Sequence, residues 1–210
     1  MQHHATMSAA LAVTLMTTFA ARGSDTSPSE ATDTTADEST AAGSVTTKRS
    51  FNIETSTFEA THPLTIAIEA KDIKETDSGL EYIGEPDQQM GDSSIIAQFT
   101  DATTGAVIAT ADSTWSALIV HRVPLNTGCG KNPTPHTTCE YEIVETPSDW
   151  TSTVFDDSGW SPVIVWNAAA VSPQDGDDEI SWDPSAELTW GTDLGADNAV
   201  LLRTTVDDND

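Results

Sequence analysis

The chain has 210 residues, enough for one domain of ordinary size with a remainder. Lys and Arg number 8 against 34 Asp and Glu, a formal net charge of −26. A polyanion of this kind repels nucleic-acid phosphates and anionic lipid headgroups, so neither is an expected partner. The acidity reads first as a solvated surface, of a kind that salt would screen, and secondly as a source of carboxylates for calcium.

The first element, in "MSAALAVTLMTTFAARGSD", is apolar from Ala9 to Ala21. It is too short to span a bilayer and fits the core of an export signal, with small residues near Ala20 and Gly23 for cleavage. The flanking "FAARGSD" resembles a bacterial lipobox in which Arg22 occupies the place of the lipidated cysteine. The expectation is a signal-like segment over 1–22, a secreted or cell-envelope protein, and no transmembrane helix after signal removal. From Gly23 to Ser50 the chain is mostly Thr, Ser, Ala, Asp and Glu with almost no large apolar side chain, which cannot bury enough surface to offset ordering entropy and reads as a disordered linker.

The domain is expected over 51–207 as short Val/Ile/Thr/aromatic runs divided by Gly, Pro, Asp and Asn, an all-β pattern. "LTIAIEA" (Leu64–Ala70) alternates, with Leu64, Ile66 and Ile68 on one face. "SIIAQFTDATTGAVIATAD" reads as a hairpin turning at Thr103-Thr104-Gly105. Further strands are expected at Trp115–Val123, Tyr141–Thr146, Pro162–Ala169, Ala186–Gly191 and Ala199–Val206. About eight strands suit a jelly-roll-like β-sandwich. Cys129 and Cys139 bracket a Pro-containing loop and suggest a disulfide, worth about 2–3 kcal/mol in the chain-entropy picture. A zinc site with His136 as third ligand is the rival reading, and it lacks a fourth close ligand.

"VFDDSGW" (Val154–Trp160) poses a sharper question, because Asp156 and Asp157 could be catalytic carboxylates. Neighbouring side chains on a strand point to opposite faces, whereas glycosidase carboxyls face each other across a bond. "DDSG", with Asp first and Gly fourth, instead matches a type I turn over Asp156–Gly159. Phe155 and Trp160 would then anchor the turn in the core, together with Trp115, Trp150 and Trp166.

The stretch from Trp150 through "FDDSGWSPV" resembles the galactose-binding-like jelly-roll domains that accompany α-L-rhamnosidases and β-galactosidase-type glycoside hydrolases. "TGAVIATADSTW", ending at Trp115, is similar to that family's upstream hairpin. "AELTWGTDLGADNAVLLRTTV" looks like its closing strand pair, including an arginine at Arg203. The resemblance spans most of Ile95 to Val206. It implies a galactose-binding-like sandwich and, with no catalytic domain following, a stand-alone non-catalytic module for carbohydrate.

The candidate ligand-binding residues are Trp182 and Asp183 in "ISWDPS", where a loop tryptophan could stack on a sugar, and His121 and Arg122 in "IVHRV". Asp175, Asp177 and Asp178 form one candidate calcium loop, although Ile180 stands where an EF-hand needs Gly. Asp193 and Asp197 in "GTDLGADN" form another; an Asx turn is the plainer reading of that loop. No G-x-S-x-G, P-loop or HExxH motif is present, and the histidines have no evident catalytic partner. The leading expectation is an exported binding module for a glycan or other cell-surface ligand. The alternatives are a structural or adhesive envelope protein acting through calcium, and a small hydrolase using Asp178 and Asp183.

Composition makes one prediction directly. Limited proteolysis should cut within Gly23–Ser50 while the segment from Phe51 onward resists, because only the latter can form a core. Equal protection of the two segments would contradict the linker assignment.

Overall fold

The computed structural model describes residues 9–18, 53–72, 76–79, 93–126, 128–171 and 180–207. The linker 23–50 and the acidic loop holding Asp175, Asp177 and Asp178 lie outside these residues. Two antiparallel sheets form a β-sandwich. The first contains β1 (Ala9–Thr18), β2 (Ile53–Ala60), β4 (Ser94–Asp101), β10 (Leu188–Trp190) and β9 (Ile164–Trp166), in the order β2-β1-β4-β10-β9. β5 (Val107–Thr110) also pairs with β4. The second runs β3 (Leu64–Lys71), β11 (Asp197–Val206), β6 (Ser116–Arg122) and β7 (Glu142–Ile143), with β8 (Ser161–Pro162) also on β6.

Alternation decides what each strand buries. Ile95, Ala97 and Phe99 of β4 point inward and meet Ile66 and Ala70 of β3 and Val200 and Leu202 of β11 in one core. Leu64 and Ile68 pack against the same core, so the face read from "LTIAIEA" is the buried one. Trp115 and Trp190 are fully buried there, and each indole satisfies its N–H on a backbone carbonyl. Trp115 Nε1 donates to Thr110 O at 2.8 Å, and Trp190 Nε1 to Asp197 O at 2.7 Å. The β4–β5 turn forms because Asp101 Oδ1 accepts the amides of Thr103 and Thr104 (2.7 and 2.8 Å) and Gly105 takes φ 74°. Those amides hold the Asp101 carboxyl below the usual carboxylate range.

The two cysteines are bridged, with Cα atoms 5.1 Å apart. Asn126 fastens the base of their loop, accepting from Glu140 N at 2.8 Å and donating to Thr138 O at 2.7 Å. Within it Pro135 starts a single helical turn, α1 (Pro135–Thr138), at the first-turn position that tolerates a missing N–H. A second turn, α2 (Ala168–Val171), replaces the end of the strand expected over Pro162–Ala169. Asn167 Oδ1 accepts Ala170 N at 2.9 Å and diverts the chain there. The strand expected over Tyr141–Thr146 is reduced to two residues, Glu142 and Ile143, paired with Arg122 and His121 of β6.

Strand β11 is buried on both faces from Asp197 to Arg203. Its outward residues Ala199 and Leu201 join Val120, and Leu118, Trp150 and Trp160 pack over them. Trp150, Phe155 and Trp160 are thus half-buried on the outer face of the second sheet, not inside the sandwich as the sequence suggested. The turn also differs by one residue. Trp160 N donates to Asp157 O at 2.8 Å, so the turn is Asp157–Trp160, and Asp156 Oδ1 precedes it as an Asx cap on Ser158 N at 3.1 Å. Ser158, through its hydroxyl and then its amide, lowers the Asp156 pKa. Asp157 faces Arg203, with Oδ2 to Nη1 3.0 Å.

Two predictions follow from these contacts. Replacing Arg203 by Met strands Asp157 and the carbonyls of Trp150 and Ser152, to which Arg203 Nε and Nη2 donate, and should cost about 3–5 kcal/mol in denaturant unfolding. Trp160→Ala should cost about 2–3 kcal/mol, below the range for fully buried aromatics, whereas Asp156→Asn should leave Tm nearly unchanged, since an amide oxygen still accepts Ser158 N. An Asp156→Asn protein as unstable as Arg203→Met would reverse this ordering. With a net charge of −26, the domain should also melt higher in ~1 M than in ~0.1 M NaCl as the Debye length shrinks from about 10 to 3 Å; a falling Tm would contradict a repulsion-limited surface.

Candidate functional site

Strand β6 is met twice along its outer edge. β7 pairs at His121 and Arg122, and β8 pairs at Ser116 and Ala117. Between the two meetings the chain leaves at Val144, crosses the outer face as the loop pinned by Arg203, and returns at Ser161. The gap between departing and returning segments is a groove of about 220 Å³. Its floor is Leu118 and Val120, one wall is Glu142 and Val144, and the other is Gly159, Trp160 and Ser161. Val144 N donates to Val120 O at 2.8 Å and closes the floor to that wall.

The walls differ in chemistry. Trp160 is a preset aromatic surface, with its ring 5.6 Å from Phe155 edge-on and 6.4 Å from Trp150. Glu142 is exposed and stands across from Arg122 in the β6–β7 register. It is the one carboxylate among the lining residues, so the groove holds no opposed acid pair. Arg122 is already engaged. Its Nε donates to Asp197 Oδ1 at 3.0 Å and its Nη2 to Thr192 Oγ1 at 3.3 Å. The arrangement offers an apolar surface, a hydroxyl and charged groups at one end.

The residues singled out in the sequence scatter. Trp182 is half-buried and Asp183 belongs to the first sheet's side, where its amide donates to Gln98 Oε1 at 2.6 Å. Asp183 Oδ1 accepts the hydroxyl and amide of Ser185 (2.7 and 2.9 Å), which lowers its pKa, and the carboxylate thereby shapes its own turn. His121 is buried on the second sheet, with Nδ1 2.8 Å from Asn198 Oδ1 and Nε2 3.1 Å from Asp77 O. It clamps two segments together. The structure therefore does not bring Trp182 and Asp183 to His121 and Arg122. Arg122 lines the groove edge, His121 backs it.

The second calcium candidate has a different occupation. The Asp197 side chain is wholly buried, and besides Arg122 its Oδ2 accepts Thr192 Oγ1 at 3.1 Å and Asp193 N at 2.9 Å. Asp193 Oδ1 accepts Gly195 N at 2.8 Å in an Asx turn. Among the described residues, no three His, Cys, Asp or Glu side chains cluster closely enough to hold a metal ion.

Glu142, Val144, Gly159 and Ser161 escaped the sequence reading. The signal for Glu142 and Val144 was "YEIVET", whose apolar residues stay exposed in the structure, Ile143 at 56% and Val144 at 41%; Gly159 and Ser161 flank Trp160 in "DSGWSPV". No family model matches the sequence, and none of the curated proteins or solved structures compared with it gives a significant match.

Proposed function

We propose that this protein is an exported, non-catalytic binding module whose ligand is a carbohydrate seated in the groove over β6. The observation that carries the reading is the pairing of a braced tryptophan wall with an exposed carboxylate across an apolar floor. A pyranose ring has an apolar face to lay on an indole and hydroxyls to donate to Glu142. The volume of about 220 Å³ suits one ring, below the usual range for larger ligands. The resemblance around Trp150–Val163 and Arg203 points the same way. The disulfide supports an oxidising compartment, in keeping with the apolar segment from Ala9 to Ala21. A net charge of −26 and an exposed carboxylate at Glu142 favour neutral glycans over uronic acids or sulfated sugars.

The test uses two exposed positions that the fold does not need. Glu142→Gln and Val144→Arg should each weaken binding to a neutral glycan identified on an array by about tenfold or more, ~1.4 kcal/mol. Tm should stay unchanged in both. Calorimetric titration measures the first and a thermal melt the second. An array with no neutral glycan bound, or binding indifferent to both substitutions, would remove the proposal.

A further inference from the structure

Strand β1 is both the apolar stretch that reads as an export signal and the strand that separates β2 from β4. From Leu11 to Met16 each of its residues has a partner on either side; Ala12, for example, stands between Thr57 and Thr100. Both pairings are antiparallel, so β2 and β4 run parallel to each other with one strand between them. Among the described pairings β2 has β1 alone as neighbour, while β4 connects on its other edge to β5 and β10. The chain that joins β1 to β2 is the Thr/Ser/Asp-rich stretch, so nothing in composition ties the two strands closely.

We infer that the position of β1 is a slot that closes when the signal-like segment is removed: β2 moves inward by one strand spacing, about 4.8 Å, and pairs directly with β4. This inference rests on residues 1–22 being a leader. An open slot is costly on both sides. β4 is buried through Ile95, Ile96, Ala97 and Phe99, and its bared edge would leave backbone groups without partners. β2 alone would have no partner to hold it extended. It is joined to β3 through residues 61–63 only, which keeps it at high effective concentration beside the slot. A strand from a second copy would have to approach against the repulsion of two strongly acidic chains, since removing residues 1–22 takes away Arg22 and no carboxylate. Parallel pairing is slightly weaker per residue than antiparallel pairing, so β1 keeps the slot while it is present and its removal triggers the closure. The precursor and the processed chain thereby differ in their first sheet and share their second, including the groove over β6.

The test is made on the full chain, with Thr57→Cys and Thr100→Cys and a specific protease site placed within residues 23–50. In the uncut protein the two positions lie two strand spacings apart, ~9.6 Å, beyond the reach of about 7 Å for a disulfide. Both thiols should stay free under mild oxidation. After cutting, the N-terminal fragment should leave and an intramolecular bridge should form, read as loss of both thiols and of two hydrogens in intact mass. Because the cut is made in vitro, the outcome does not depend on whether cells export the protein or on what the groove binds. A bridge in the uncut chain overturns the inference. So does a fragment that stays bound with both thiols free, a bridge between two copies, or loss of the folded circular-dichroism signal on cutting.

Discussion

The guanidinium of Arg203 is 4% exposed as a side chain, and its surroundings have to satisfy it. They do so from one loop: Nε donates to Trp150 O at 3.1 Å, Nη2 to Ser152 O at 2.6 Å and Nη1 to Asp157 Oδ2 at 3.0 Å. Phe155 lies over the same group, 5.6 Å from ring centre to the guanidinium carbon. A flat, multidentate cation can fasten a loop by its carbonyls in a way that an ammonium cannot. The consequence spreads outward. The loop covers the outer face of β11, which permits Ala199 and Leu201 there, and it sets Trp160 upright as a wall of the groove. Asp157 therefore acts in folding, and the groove inherits its shape from that ion pair.

A second buried charge organises the end of the sandwich by the same logic. Asp197 is satisfied by Arg122, Thr192 and the amide of Asp193, and its own carbonyl receives the Trp190 indole. The acids Asp101, Asp156 and Asp183, half-buried or exposed, repeat a simpler device, each accepting N–H or O–H groups two or three residues on. Those bonds stabilise the charged form and depress the pKa, so their contribution holds above the ordinary carboxylate range and fades as pH falls through the lowered values. Several aspartates that could have been ligands or catalysts are thus consumed in shaping backbone.

Legibility follows the range of the determining contact. Alternation in Leu64–Ala70, the Asp101–Gly105 turn and the Cys129–Cys139 bridge were readable because each depends on residues near in sequence. The register of the "FDDSGW" turn was misread by one residue, since Ser158 caps onto Asp156 while Arg203, remote in sequence, claims Asp157. The tryptophans show the same limit. Burial of Trp115 and Trp190 depends on strand parity, but Trp150 and Trp160 pack outside the sheet because the loop is drawn back by β11. The groove was invisible, being made from two places where β6 loses and regains a partner. Strand β1 had an apolar pattern that suits a leader and a sheet interior equally, and periodicity alone does not separate these.

Charge couples the buried Asp197 to the groove. Arg122 is the cation among the groove's lining residues, and its partnership with the buried Asp197 leaves Glu142 as the exposed charge there. A ligand entering here meets a carboxylate on a molecule of net charge −26, so an anion is opposed both at long range and in contact. Neutral hydroxyls suffer neither penalty and can donate to Glu142, whose exposure means that little desolvation is needed beforehand. Selectivity in this site would then come from what the surface repels, with Trp160 supplying the attraction common to any ring that fits.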